Sequence, residues 1–125
     1  MKPLGIHLIV DAWECPADLL NDPGAVSGAI RAAAEAGGAK LIDLCTHQFS
    51  PHGITATATL AESHIAIHTW PEHGYFAADL FLCGAGDPYR ALDALRHALQ
   101  VGELLTTELK RGLESGRPLR QVPGG

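Results

Sequence analysis

The chain has 125 residues, 46% hydrophobic and 18% charged, with a formal net charge of −5. That is the length of one domain, apolar enough for a packed core and unlike a disordered chain. The acidic balance and the lack of any basic run exclude nucleic acid as the expected partner, and no apolar run nears the ~20 residues that a membrane helix needs.

Met1-Lys2-Pro3-Leu4-Gly5 leads into His7 and Asp11 without a small-residue cleavage site, so no signal peptide is expected and the expected compartment is the cytoplasm. Cys15, Cys45 and Cys83 form neither a CxxC pair nor an even set, which fits reduced thiols.

Residues 4–11 alternate, with Leu4, Ile6, Leu8 and Val10 against Gly5, His7, Ile9 and Asp11, and predict a first strand. Residues 15–20 predict a short helical turn. The main helix starts at Asp22, a good N-cap, with Pro23 at its first position, and it ends at Gly37-Gly38. Val26, Ile30, Ala33 and Ala34 form its apolar stripe. Residues 39–50 predict a second strand, with Leu41, Asp43 and Cys45 on one face and Ile42, Leu44 and Thr46 on the other, before a turn marked by Pro51 and Gly53.

Residues 54–60 set Ile54, Ala56, Ala58 and Leu60 against Thr55, Thr57 and Thr59. The next strand alternates Ile65 and Ile67 with His64, Ala66 and His68, then turns between Pro71 and Gly74. Tyr75 to Cys83 is a further strand. Asp87-Pro88 repeats the helix-start signal, and Leu92, Leu95 and Leu99 predict a helix running to Gly102. Leu104 to Leu109 is the last strand. A domain over residues 1–112 is expected, followed by a flexible tail over 113–125.

The order is β-α-β-β-β-β-α-β. Hairpin-length links predict an α+β fold, a two-layer sandwich with a mainly antiparallel sheet and both helices on one face. The other face would carry His7, the three threonines, His64, His68, Asp79 and Cys83, together with Ile9, Tyr75 and Phe81. A face so rich in reactive and aromatic groups is expected to pack against a second copy, giving a homodimer.

Glu62, Ser63, His64, His68, Trp70 and Glu72 crowd two acids, a hydroxyl, two imidazoles and an indole into eleven residues. Each has an ordinary reading. Ser63 alone fits a surface hydroxyl, His68 a structural histidine, Cys83 a small buried hydrophobe, and Trp70 with Phe49 the core. The spacings of His47, His52, His64, His68 and His73 match no standard ligand pattern, so no metal is expected.

Taken together, Glu62-Ser63-His64 through His68-Thr69-Trp70-Pro71-Glu72, then Gly74-Tyr75 and Asp79-Leu80-Phe81-Leu82-Cys83-Gly84, resemble the small prokaryotic S-adenosylmethionine decarboxylases in residue type, order and spacing. His47-Gln48-Phe49-Ser50-Pro51-His52-Gly53 resembles the segment just upstream, and a thinner likeness runs from Gly5 to Glu108.

The resemblance implies self-cleavage between Glu62 and Ser63 into a β chain of residues 1–62 and an α chain of 63–125. Ser63 would become a covalent pyruvoyl cofactor that forms a Schiff base with the substrate amine. It further implies that His68 accepts a proton during processing and that Thr55 assists, standing where the family usually has serine. Cys83 would return a proton during decarboxylation. Phe49, from the other protomer, and Trp70 would stack on the adenine, and Glu72 would hold the ribose. The implied activity is decarboxylation of S-adenosyl-L-methionine for spermidine synthesis by an (αβ)2 homodimer. Alternatives are the same chemistry on L-arginine or L-ornithine, or an unprocessed, non-catalytic paralogue.

Ser63 and His68 are five apart, so a straight strand would point them to opposite faces. A bend between them, or Ser63 in the preceding turn, is expected.

Overall fold

The computed structural model describes residues 2–113, and the expected tail over 113–125 lies outside them except for its first residue. Six strands form one antiparallel sheet: β1 (Gly5–Trp13), β2 (Leu41–Gln48), β3 (Ile54–Leu60), β4 (Ser63–Trp70), β5 (Tyr75–Cys83) and β6 (Glu103–Arg111). Their spatial order is β2-β3-β4-β5-β1-β6, so β1 lies between β5 and β6. Helices α1 (Ala17–Leu20), α2 (Pro23–Ala36) and α3 (Pro88–Ala98) complete the described elements. The expected α+β sandwich is met, with the short α1 added to the two main helices.

Local chemistry explains the helix starts. Asp22 accepts from the Gly24 and Ala25 N–H groups, Asp87 accepts from those of Tyr89 and Arg90, and a proline follows each cap. α2 ends at Gly37 as expected, but α3 stops at Ala98, short of Gly102, with Gln100 in the left-handed region at φ 52°.

The helices cover one face of the sheet. Leu8 and Val10 of β1, Ile54 and Ala56 of β3, Ile65 and Ile67 of β4, and Phe76, Leu80 and Leu82 of β5 pack beneath Val26, Ile30, Ala33, Leu92 and Leu95. All are essentially buried, each large aliphatic side chain contributing about 1.5–3 kcal/mol by leaving water.

Strand β2 corrects the expected alternation. Its pairing with β3 is irregular between Leu41 and Asp43, so Leu41 and Leu44, three apart, both pack against the core while Ile42 is exposed. β4, in contrast, pairs with both neighbours in unbroken register. No bend separates Ser63 from His68. Ser63 pairs with Leu60 to close the two-residue turn Ala61-Glu62, and Glu62 sits at φ 61°. For a residue with a Cβ that left-handed conformation costs about 1 kcal/mol.

Candidate functional site

The chemistry falls into three groups, all on the open sheet face except for Ser63, whose position in β4 puts it in phase with Ile65 and Ile67 on the other face. At one end, the Ala61-Glu62 turn delivers Ser63 to the first position of β4, where its Oγ accepts from the Cys83 N–H at 3.0 Å. Cys83 is half-buried at the end of β5, opposite Gly5 on β1. A Cβ at Gly5 would lie 2.6 Å from the Phe81 ring and 3.1 Å from Cys83 Sγ. Only glycine leaves those two side chains their places.

At the other end of β4, a cleft of about 360 Å³ gathers Phe49, His52, Thr55, His68, Trp70 and Glu72 among its walls. His68 and Thr55 are cross-strand partners, their Nδ1 and Oγ1 2.9 Å apart. Gly74, left-handed at φ 59°, turns the chain after the 3-10 turn Pro71–His73, and its carbonyl accepts from the Cys15 N–H at 3.0 Å. That turn sets Glu72 beside His52, with 2.9 Å between Oε2 and Nε2. A bond from its own backbone N–H holds the Glu72 carboxyl below the usual carboxylate range; slight desolvation opposes this, and His52 and His73 lower it further.

Beyond the cleft, Tyr75 stands between Trp13 and Trp70, with ring centroids 4.3 and 5.4 Å away. Its hydroxyl donates to Asp11. Burial first, then that carboxylate, pushes the Tyr75 hydroxyl up to about 12.

The third group lies between β4, β5 and β1. His64 Nε2 and His7 Nε2 each lie 2.7 Å from Asp79 Oδ2. Burial raises the Asp79 carboxyl, but the His64 and His7 contacts outweigh it and hold it below the ordinary value. The donor atoms of these three residues lie within 4.8 Å of one another, which makes them the candidate metal ligands among the described residues.

The structure therefore joins the expected residues into two sets. Glu62, Ser63 and Cys83 form one; Phe49, Thr55, His68, Trp70 and Glu72 form the other. Within one chain, five residues of straight strand hold Ser63 and His68 about 16 Å apart, on opposite faces. Cys83 and His68 share the open face but stand at opposite ends of it.

Sequence reasoning missed His52 as the partner of Glu72, since a histidine in a turn carries no periodic signal. It also missed Thr69, whose hydroxyl is buried between two backbone groups, and the union of His7 with His64 and Asp79. That union depends on β1 lying beside β5, which no local spacing reveals.

Comparison with known proteins adds a family. The model of the family described as S-adenosylmethionine decarboxylase matches residues 6–112. An S-adenosylmethionine decarboxylase proenzyme from Methanococcus aeolicus is 45% identical over 113 residues, spanning 90% of this chain and 97% of that protein. A proenzyme of the same name from Thermotoga maritima is 38% identical over 113 residues, spanning 90% and 87%. The crystal structure of the adenosylmethionine decarboxylase from Aquifex aeolicus superposes with a TM-score of 0.84 at 32% identity, covering 96% of this chain and 100% of that one.

Proposed function

The chain belongs to the S-adenosylmethionine decarboxylase family, and on that premise we propose that it is a proenzyme that cuts its own Glu62–Ser63 bond and then decarboxylates S-adenosylmethionine. The observation that carries this reading is the contact of Ser63 Oγ with Cys83, immediately after a turn held in the left-handed region.

In the cut, Ser63 Oγ adds to the Glu62 carbonyl carbon and the peptide C–N bond breaks, leaving an ester and a free amine. Loss of the Ser63 α-proton to His68 then expels the 1–62 chain as a carboxylate. Hydrolysis of the remaining enamine releases ammonia and leaves a pyruvoyl group on residue 63. The residues present fit that group: the reacting oxygen already has a backbone donor, and Cys83 adjoins it. Once formed, it supplies an electron sink for the pair released as carbon dioxide departs. Cys83 returns a proton to the substrate carbon. Phe49 and Trp70 stack on the purine, and the ionised Glu72 accepts from the ribose hydroxyls. Arginine and ornithine have no ring to use that aromatic lining, which favours the nucleoside.

A substrate held in the cleft is about 16 Å of strand away from Ser63 of the same chain. The site therefore forms between two copies, with the end of the sheet that carries Ser63 and Cys83 in one facing Thr55, His68 and the cleft of the other, in an (αβ)2 dimer. Exposed Ile9, Trp13, Leu105 and Leu109 on the open face supply an apolar contact surface for that pairing. Among the described residues no helix is long and apolar enough to cross a membrane. The proposed role is to provide the aminopropyl donor for spermidine synthesis in the cytoplasm.

Intact mass of the purified protein tests the cut. Fragments 1–62 and 63–125, the second with a blocked N-terminus, are expected, and Ser63→Ala should stay whole. An uncut wild-type chain overturns the proposal. Co-expression of Ser63→Ala with His68→Ala tests the shared site: each alone stays whole, while in the mixture the His68→Ala chain is cut. No cutting in the mixture refutes a site built from two copies. Carbon dioxide release from labelled S-adenosylmethionine, arginine and ornithine in parallel decides the substrate.

A further inference from the structure

Residue 64 becomes important once the bond before residue 63 is gone. In the uncut chain Ser63 is held by covalent backbone on both sides and by its pairing with Leu60. Scission turns it into a chain terminus, and termini fray unless they are tied down. The first side chain past the break is His64, whose Nε2 lies 2.7 Å from Asp79 Oδ2.

That tether does not end at Asp79. His7 Nε2 reaches the same carboxylate oxygen at 2.7 Å, and the Arg111 guanidinium donates to His7 Nδ1 at 3.0 Å. Phe81 packs among them, its ring centroid 5.2 Å from that of His7 and 5.8 Å from that of His64. Arg111 lies over its face at 5.9 Å. One cross-strand chain of contacts thus links β4, β5, β1 and β6 at the end of the sheet that holds Ser63 and Cys83. The His7 side chain is 13% exposed and that of Asp79 31%, so these charge-assisted bonds are partly shielded from water.

We propose that His64, Asp79 and His7 form a clamp that fixes the new N-terminus of the 63–125 chain against Cys83 after the cut. The inference rests on the function proposed above and deepens it. The three are positioning residues: they act through residue 63 and serve the protonation step, not the scission. A metal ion held by the same atoms is the competing reading, and Arg111 argues against it. A metal on His7 Nε2 would move the ring proton to Nδ1, where it would face the guanidinium N–H, donor against donor.

The test compares His64→Leu, His64→Gln and Asp79→Asn, each as the full chain. His64→Leu and Asp79→Asn should still yield the 62- and 63-residue fragments and keep KM near wild type. Their kcat should fall about 10- to 100-fold, the loss that follows a misplacement of about 1 Å at a reacting centre. His64→Gln, whose amide can donate to Asp79 from the position of Nε2, should recover most of that loss.

Independently of turnover, hydrogen exchange over residues 64–67 should quicken when Asp79→Asn is made in the cut protein. It should change little when the same substitution is made in uncut Ser63→Ala. Equal kcat in wild type and His64→Leu, or equal exchange effects in cut and uncut proteins, overturns the clamp. Loss of cleavage in both His64→Leu and Asp79→Asn also overturns it, because the tether would then act before the break. Stoichiometric zinc in the purified protein, with activity lost to a chelator, replaces the clamp with a metal site. An uncut wild type instead removes the function on which the clamp depends.

Discussion

Replacing Thr69 by valine separates two accounts of what holds the cleft. Thr69, between His68 and Trp70, is the buried polar residue among the described ones, 5% exposed. Its Oγ1 donates to the Leu20 carbonyl at 2.8 Å and accepts from the Ile54 N–H at 2.9 Å, joining the end of α1 to the start of β3. Valine has nearly the same volume, so packing alone predicts almost no change. The hydrogen bonds predict otherwise. Valine strips partners from a buried carbonyl and a buried N–H, at about 1–3 kcal/mol each, for a net loss of about 2–4 kcal/mol once the added apolar burial is deducted. Serine keeps both bonds and removes one methyl, costing about 1 kcal/mol. The measurement is urea unfolding in the Ser63→Ala background, where the chain is whole, at one fixed protein concentration. Valine should be the more destabilising substitution. If it costs less than serine, or less than about 0.5 kcal/mol, the hydroxyl is not what ties α1 and β3 to the cleft strand.

Cys83→Ala should leave fragment formation intact while abolishing most carbon dioxide release; unchanged turnover would remove the thiol from the chemistry. The other cysteines differ in exposure. Burial pushes the Cys15 thiol from 9.0 up to about 11, which lowers its thiolate fraction at pH 8 about 100-fold. A disulfide reagent at pH 8 should therefore modify exposed Cys45 at once and Cys15 only on unfolding. Its modification should quicken as pH rises toward 11, since the raised value keeps the neutral thiol at lower pH. Equal rates for the two thiols in the folded protein would contradict the burial of Cys15.

The faces of β1, β3, β4 and β5 were legible because their aliphatic residues alternate strictly, and the helix starts because Asp22-Pro23 and Asp87-Pro88 are local signals. The resemblance supplied the candidate site residues, and parity set Ser63 and His68 on opposite faces of a straight strand, where a bend was expected and none is found. What stayed hidden was non-local. The irregular pairing near Leu41 follows from β2 meeting β3, and the reach of His7 to Asp79 follows from where β1 inserts. The division of the site into two sets needed the strand's unbroken register, which excludes the bend that would have joined them.

The place of β1 also decides what becomes of the protein once it is nicked. The proposed scission at 62–63 would assign β1, β2 and β3 to one piece and β4, β5 and β6 to the other. Yet β1 is wedged between β5 and β6, with a full ladder to each, while β3 keeps its ladder to β4. The pieces are interleaved, and parting them means tearing three ladders and opening the core together. Maturation should therefore leave a particle that travels, melts and refolds as one object, with its halves refusing to trade partners under native conditions.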